Sequence, residues 1–144
     1  MAAAFIERWE HFPHGADLGI RGIGPTPESA FAQAGLAMTA AIADLERVEP
    51  AEQLTVECGA PSLQELFFDW LDALVFEMNT RKMLFCRFDV RIQDGGLRAN
   101  IWGEPIDRAR HEPAIEVKGP TYTELCVARD PATGQWLAQC VVDV

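Results

Sequence analysis

Residues 84–101 constrain the fold most. Leu84, Cys86, Phe88, Val90 and Ile92 alternate with Phe85, Arg87, Asp89 and Arg91, the period-2 pattern of a half-buried strand. Asp94-Gly95-Gly96 then reads as a hairpin turn, and Leu97, Ala99 and Ile101 alternate again. Two strands joined by so short a turn pair antiparallel, because a parallel pair needs a long crossover. A purely parallel, doubly wound sheet is therefore excluded.

Two amphipathic helices precede this pattern. Thr26-Pro27-Glu28 supplies an N-cap, a proline at the first helical position and an acid at the positive helix end. Phe31, Ala34, Met38, Ile42 and Leu45 recur from there at helical spacing. The second helix opens on the capping box Ser62-Leu63-Gln64-Glu65. Leu63, Leu66, Phe67, Trp70, Leu71, Leu74, Val75 and Met78 form its apolar stripe. Further strands are expected near 16–23, 52–58, 114–118, 121–129 and 135–143. The fold class is α+β, a largely antiparallel sheet packed with two amphipathic helices, in a single domain over residues 1–144.

Composition narrows the function. The net charge of −10 argues against strong direct nucleic-acid binding, which needs clustered Lys and Arg. It suits cations or a basic protein surface. No apolar run approaches the roughly 18 residues of a membrane span, so no membrane partner is expected. Met1–Ile6 is too short and lacks the basic residues of a signal peptide, which makes the cytoplasm the expected location. Cys58, Cys86, Cys126 and Cys140 lie in apolar, strand-like runs without CxxC or CxxH spacing, so reduced structural thiols are expected rather than a zinc site.

Two acids stand out. Asp143 ends the apolar run Ala138-Gln139-Cys140-Val141-Val142, and Asp17 lies in His14-Gly15-Ala16-Asp17-Leu18-Gly19. Unpaired acids at the ends of apolar strands ask for a cation or a positive partner if they are buried. Solvent exposure is the plain alternative for both. The two come from opposite ends of the chain and meet only if their strands are adjacent. With a backbone oxygen at Val144 they would offer an all-oxygen site for a hard cation. Gly19 and Gly22 flank Asp17 and allow backbone or a ligand to approach closely. Lys118 lies opposite Ile115 and Val117 on its strand, either solvated or beside the acids as a phosphate contact. His14 is a possible ligand or a hydrogen-bonded structural residue. Trp102 falls on the face opposite Ala99 and Ile101, where it would meet a second packed face or an interface. Arg108 and Arg110 read as solvated loop residues. No phosphate loop, dinucleotide fingerprint, zincin motif or nucleophile elbow occurs.

The ordered segments His14-Gly15-Ala16-Asp17-Leu18-Gly19-Ile20-Arg21, Thr26-Pro27-Glu28-Ser29-Ala30-Phe31, Val48-Glu49-Pro50, Leu66-Phe67-Phe68-Asp69-Trp70-Leu71, Ile101-Trp102-Gly103-Glu104, Glu116-Val117-Lys118 with Thr121-Tyr122, and Val142-Asp143-Val144 together resemble archease. The likeness runs through nearly the whole chain in the right order. It implies a small α+β protein without catalysis of its own. Its partner would be a GTP-dependent RNA ligase that joins 2′,3′-cyclic or 3′-phosphate ends in tRNA splicing and RNA repair. It would promote guanylylation of that ligase and its multiple turnover. The resemblance also implies a divalent cation, calcium first, with magnesium and manganese as alternatives. Asp17, Asp143 and the backbone of Val144 would hold it, and Lys118 would contribute to activation.

Two departures from the common pattern occur. Pro13 and Gly15 stand where archeases commonly carry an acid and a hydroxyl. Gly119-Pro120-Thr121-Tyr122-Thr123 lacks the histidine that commonly closes that segment. Two other functions are compatible with the residues: a binding module or modulating chaperone for another RNA-processing or modifying enzyme, and a metal-dependent phosphohydrolase using Asp17 and Asp143. The phosphohydrolase lacks an evident general base.

Overall fold

The structure is a computed structural model that describes residues 6–144; the Met1–Phe5 part of the N-terminal run considered above lies outside the described residues. Its first sheet contains β1 (Arg8–His14), β2 (Asp17–Gly24) and β8 (Trp136–Asp143) in that spatial order. The outer edge of β8 is shared by two short strands, β6 (Gly119–Pro120) at one end and β7 (Cys126–Arg129) at the other. The second sheet has the order β3 (Glu52–Gly59), β5 (Gly96–Pro105), β4 (Met83–Gln93). Every pairing is antiparallel.

Helix α1 (Pro27–Ile42) packs against β2 of the first sheet and β4 of the second, so its apolar face is covered from both sides. Thr26 caps it by accepting the Ser29 N–H at 3.1 Å. The helix stops at Ile42, and Leu45 belongs to a separate 3₁₀ turn, Leu45–Arg47. Gly22 faces α1 so closely that an added Cβ would strike the backbone of Ala30 and Ala34. The close approach at this glycine is thus made by backbone. Helix α2 (Leu63–Arg81) buries Leu66, Phe67, Trp70, Leu71, Leu74, Val75 and Met78 of its stripe, while Leu63 at its start is half-buried. Trp70 donates its indole N–H to the Phe31 carbonyl at 3.0 Å and ties α2 to α1.

The β4–β5 turn follows its sequence: Asp94 at φ 51° and Gly95 at φ 76° make the two left-handed residues of a type I′ hairpin. A bulge between Phe85 and Arg87 shifts the register of β4, so Phe85 is fully buried and breaks the simple alternation.

The structure corrects the expected elements at four places. Strand β1 is absent from the sequence reading. It is a mostly exposed edge strand without apolar alternation, and its Pro13 is tolerated because an edge needs no second hydrogen-bonded neighbour. Residues 114–118 are extended but unpaired over most of their length, anchored by Ala114 N–H to the Ile42 carbonyl at 2.8 Å and Lys118 N–H to the Asp143 carbonyl at 2.8 Å. Their faces still alternate, with Val117 buried and Glu116 and Lys118 exposed. The strand expected over 121–129 shortens to Cys126–Arg129, and a third helix, α3 (Arg108–His111), adds to the two expected.

Candidate functional site

Three distant parts of the chain meet at one end of the first sheet. The β1–β2 hairpin turns at Gly15-Ala16, where Gly15 takes φ +59°, open to a residue without Cβ. Asp17 therefore opens β2 opposite His14. The β2–β8 ladder runs from Gly24 opposite Trp136 to Leu18 opposite Val142. One further step in the same register brings Asp17 to Asp143. The Val144 N–H closes this end by donating to Asp17 Oδ1 at 3.4 Å. On the other edge of β8, Gly119 pairs with Asp143 and the Lys118 N–H bonds the Asp143 carbonyl. The backbones of Asp17, Lys118, Asp143 and Val144 thus lie at the same end of the sheet.

Burial does not distinguish these acids. Asp17 is half-buried, and Asp143 and Lys118 are exposed. The desolvation argument for a cation is corrected accordingly: the tip is marked by which groups meet there. Its chemistry fits a hard cation, since two carboxylates and backbone oxygens are all oxygen donors. Among the described residues, no group of three or more His, Cys, Asp or Glu is placed to hold a metal. His14 is exposed across the turn from Asp17.

The family model described as the archease protein family (MTH1598/TM1083) matches residues 9–144. The chain belongs to the archease family. It is 36% identical over 143 residues to the protein archease of Pyrococcus furiosus, covering 96% of this chain and all of that one. It is 37% identical over 140 residues to that of Methanopyrus kandleri, covering 94% and 99% of the two chains. An archease-like protein of Drosophila melanogaster is 27% identical over 143 residues, covering 95% of this chain and 90% of that one. The solution structure of Methanobacterium thermoautotrophicum protein 1598 superposes with a TM-score of 0.80 at 30% identity, covering 94% of this chain and 98% of that one. An archease fold of mixed α+β type with antiparallel sheets is thus established for this chain.

The archease segment Ile101-Trp102-Gly103-Glu104 holds what the sequence reading missed. Glu104 is 8% exposed at the end of β5. Both of its oxygens take hydrogen bonds from Arg110, one of them Nη1 to Oε2 at 2.9 Å. Oε2 also accepts the Glu49 N–H at 2.6 Å and lies 3.1 Å from His111 Nε2. The Asp107 N–H donates to His111 Nδ1 at 2.8 Å, so the ring proton sits on Nε2 and points to Glu104. Arg110 holds the Glu104 carboxyl down at about 2, against burial, with help from the Glu49 N–H and His111. Arg110 is therefore no free loop residue. It also donates to the Arg47 carbonyl at 2.7 Å and joins the 3₁₀ turn to α3. The sequence signal was present as Glu104 with Arg110 and His111 six and seven residues on, but only the turn after β5 brings them together.

Trp102 lies half-buried under Arg87, whose guanidinium carbon sits 4.6 Å from the ring centroid. The four cysteines are free, with Cys140 buried and the others half-buried. Burial pushes the Cys140 thiol up to about 12. Burial and the Asp69 charge push Cys58 to about 11. Burial first, then the charges of Glu104 and Glu49, also raises Cys86. Thiols raised in this way are poor nucleophiles at neutral pH. No helix among the described residues is long and apolar enough to cross a membrane.

Proposed function

We propose that this archease-family chain is an accessory protein of a GTP-dependent RNA ligase. It promotes guanylylation of the ligase and repeated turnover, in the cytoplasm, without catalysis of its own. The observation that carries this reading is the approach of Asp17 of β2, Asp143 of β8 and Lys118, just before β6, at one end of the first sheet. These are the positions that the archease resemblance assigns to activation.

Asp17, Asp143 and the Val144 backbone would hold a divalent cation, with calcium the first choice. When bound, such an ion supplies positive charge to phosphate oxygens. The chain's own contribution is positional. The β2–β8 ladder, ending at Leu18 opposite Val142, carries the backbones of both acids to the same end of the sheet, and the Lys118 N–H bond to the Asp143 carbonyl anchors the backbone of Lys118 beside them. Lys118 then presents a compact ammonium to a phosphate group. The net charge of −10 keeps the RNA backbone away from the rest of the surface, so the ligase rather than the RNA is the partner.

The test is multiple-turnover ligation of RNA ends with a 3′-phosphate, with and without this protein. Stimulation at less than one copy per ligase supports the reading. Incubation of the chain alone with phosphoesters should release no phosphate.

A further inference from the structure

A cavity of ≈ 390 Å³ lies apart from the acidic tip, between the C-terminal end of α2, the start of β4 and the unpaired segment 113–117. This volume falls in the range of about 300–1,000 Å³ typical of small-molecule sites. Its lining is mixed: Ile42, Met78, Met83, Ile106, Ile115 and Val117 give an aliphatic and thioether side, Asn79, Lys82, Arg108 and Glu116 a polar one, and no aromatic ring among the described residues lines it. Flat nucleobases are usually held by stacking, so this lining fits an aliphatic chain better than a base. Methionines adapt to irregular apolar shapes.

The polar side of the cavity is cationic. Lys82 and Arg108 both line it, and both are exposed and pair with no carboxylate among the described residues. Glu116 lines it as well without pairing to either, and Asn79 adds an amide. Unpaired cations are scarce in this chain. Among the described residues, apart from Lys118 and Arg129, every other Lys or Arg is taken up by a carboxylate, or by the Trp102 ring in the case of Arg87. In a chain of net charge −10, two unpaired cations beside one aliphatic cavity make a local site for an anion.

We infer that this cavity binds a small amphipathic anion, an aliphatic chain ending in a carboxylate or a phosphate, with the chain among the aliphatic walls and the head group at Lys82 and Arg108. The site needs neither the ligase nor the cation and stands or falls apart from the proposed function. It has one structural link to the tip. The segment that walls the cavity, 113–117, ends at Lys118, whose N–H is bonded to Asp143.

The test is titration of the isotope-labelled protein with octanoate, octyl phosphate and uncharged 1-octanol, followed through the backbone amides. Octanoate or octyl phosphate should shift the amides of Lys82, Arg108 and Ala114–Val117 saturably, and the tighter of the two identifies the head group. Octanol should bind at least about tenfold more weakly than the better anion, equivalent to about 1.4 kcal/mol. The double variant K82Q/R108Q, altered only at exposed positions, should lose at least about tenfold for that anion while keeping its octanol affinity. Ile115→Trp should fill the cavity and abolish all three responses. Octanol binding as tightly as the anions, no saturable shift with any probe, or unchanged anion binding in K82Q/R108Q would overturn the inference.

Discussion

Glu104 and Arg110 face each other through two hydrogen bonds, between the end of β5 and a four-residue helix. The pair is asymmetric, because the carboxylate side chain is 10% exposed and the guanidinium 43%. Truncating the exposed partner therefore strands a charge that water reaches poorly. Arg110→Ala should lower stability clearly, because it leaves the Glu104 carboxylate without its charged hydrogen-bond donor. Arg108→Ala, two residues away and unpaired, should stay within about 0.5 kcal/mol of wild type. Urea unfolding midpoints of the two variants check this directly, and equal midpoints would mean that the pair contributes nothing.

The same carboxyl sets a pH dependence. Its folded value of about 2 lies below its ordinary value of 4.5 because of the Arg110 hydrogen bonds. A depressed carboxylate stabilises the fold fully above the unfolded value, and that contribution is lost as pH falls from 4.5 through about 2. The stability gap between wild type and Glu104→Gln should therefore be constant near neutral pH and shrink through this acid window. Urea titrations across the range measure it.

Gly22 gives a steric prediction. A methyl group there meets helix backbone, which cannot turn aside as a flexible side chain can. Gly22→Ala should cost about 3 kcal/mol or more, at or beyond the upper end for overpacking. Gly15→Ala has open space around its Cβ and should cost about 1–2 kcal/mol, through its positive φ alone. Thermal unfolding of both variants separates steric from conformational cost.

The cation makes a prediction of its own. An ion that binds only the folded tip stabilises it by about 2.7 kcal/mol at a hundred times its Kd. Calcium or magnesium should raise Tm, and Asp17→Ala and Asp143→Ala should each abolish the rise. An undiminished rise in both variants would place the ion elsewhere.

The legible parts of the chain are those whose signals are local. The Asp94-Gly95 turn, the Ser62 cap and the α2 stripe depend on neighbours within a few residues, and each appears where its sequence puts it. Asp17 and Asp143 were legible as candidates, but their adjacency depends on a ladder between the two ends of the chain. Strand β1 was hidden because an edge strand exposed on most positions has no hydrophobic period to read. The segment 114–118 shows the converse. Its side chains alternate as in a strand, but alternation reports which face is buried and not whether a neighbour accepts the hydrogen bonds. Arg110 looked solvated because nothing near it in sequence shows that the end of β5 delivers Glu104 to it.

In the proposed function, the Asp17, Lys118 and Asp143 tip activates a ligase. The most direct test of that role is the rate of guanylylation of a cognate GTP-dependent RNA ligase, measured with this protein at less than one copy per ligase. Wild type should accelerate the reaction. Asp17→Ala, Asp143→Ala and Lys118→Ala should lose most of the acceleration while showing wild-type circular dichroism. Lys118→Arg should retain part of it if charge alone matters, and lose it if a compact ammonium is required. Three alanine variants as active as wild type would contradict the role assigned to the tip, whatever the family.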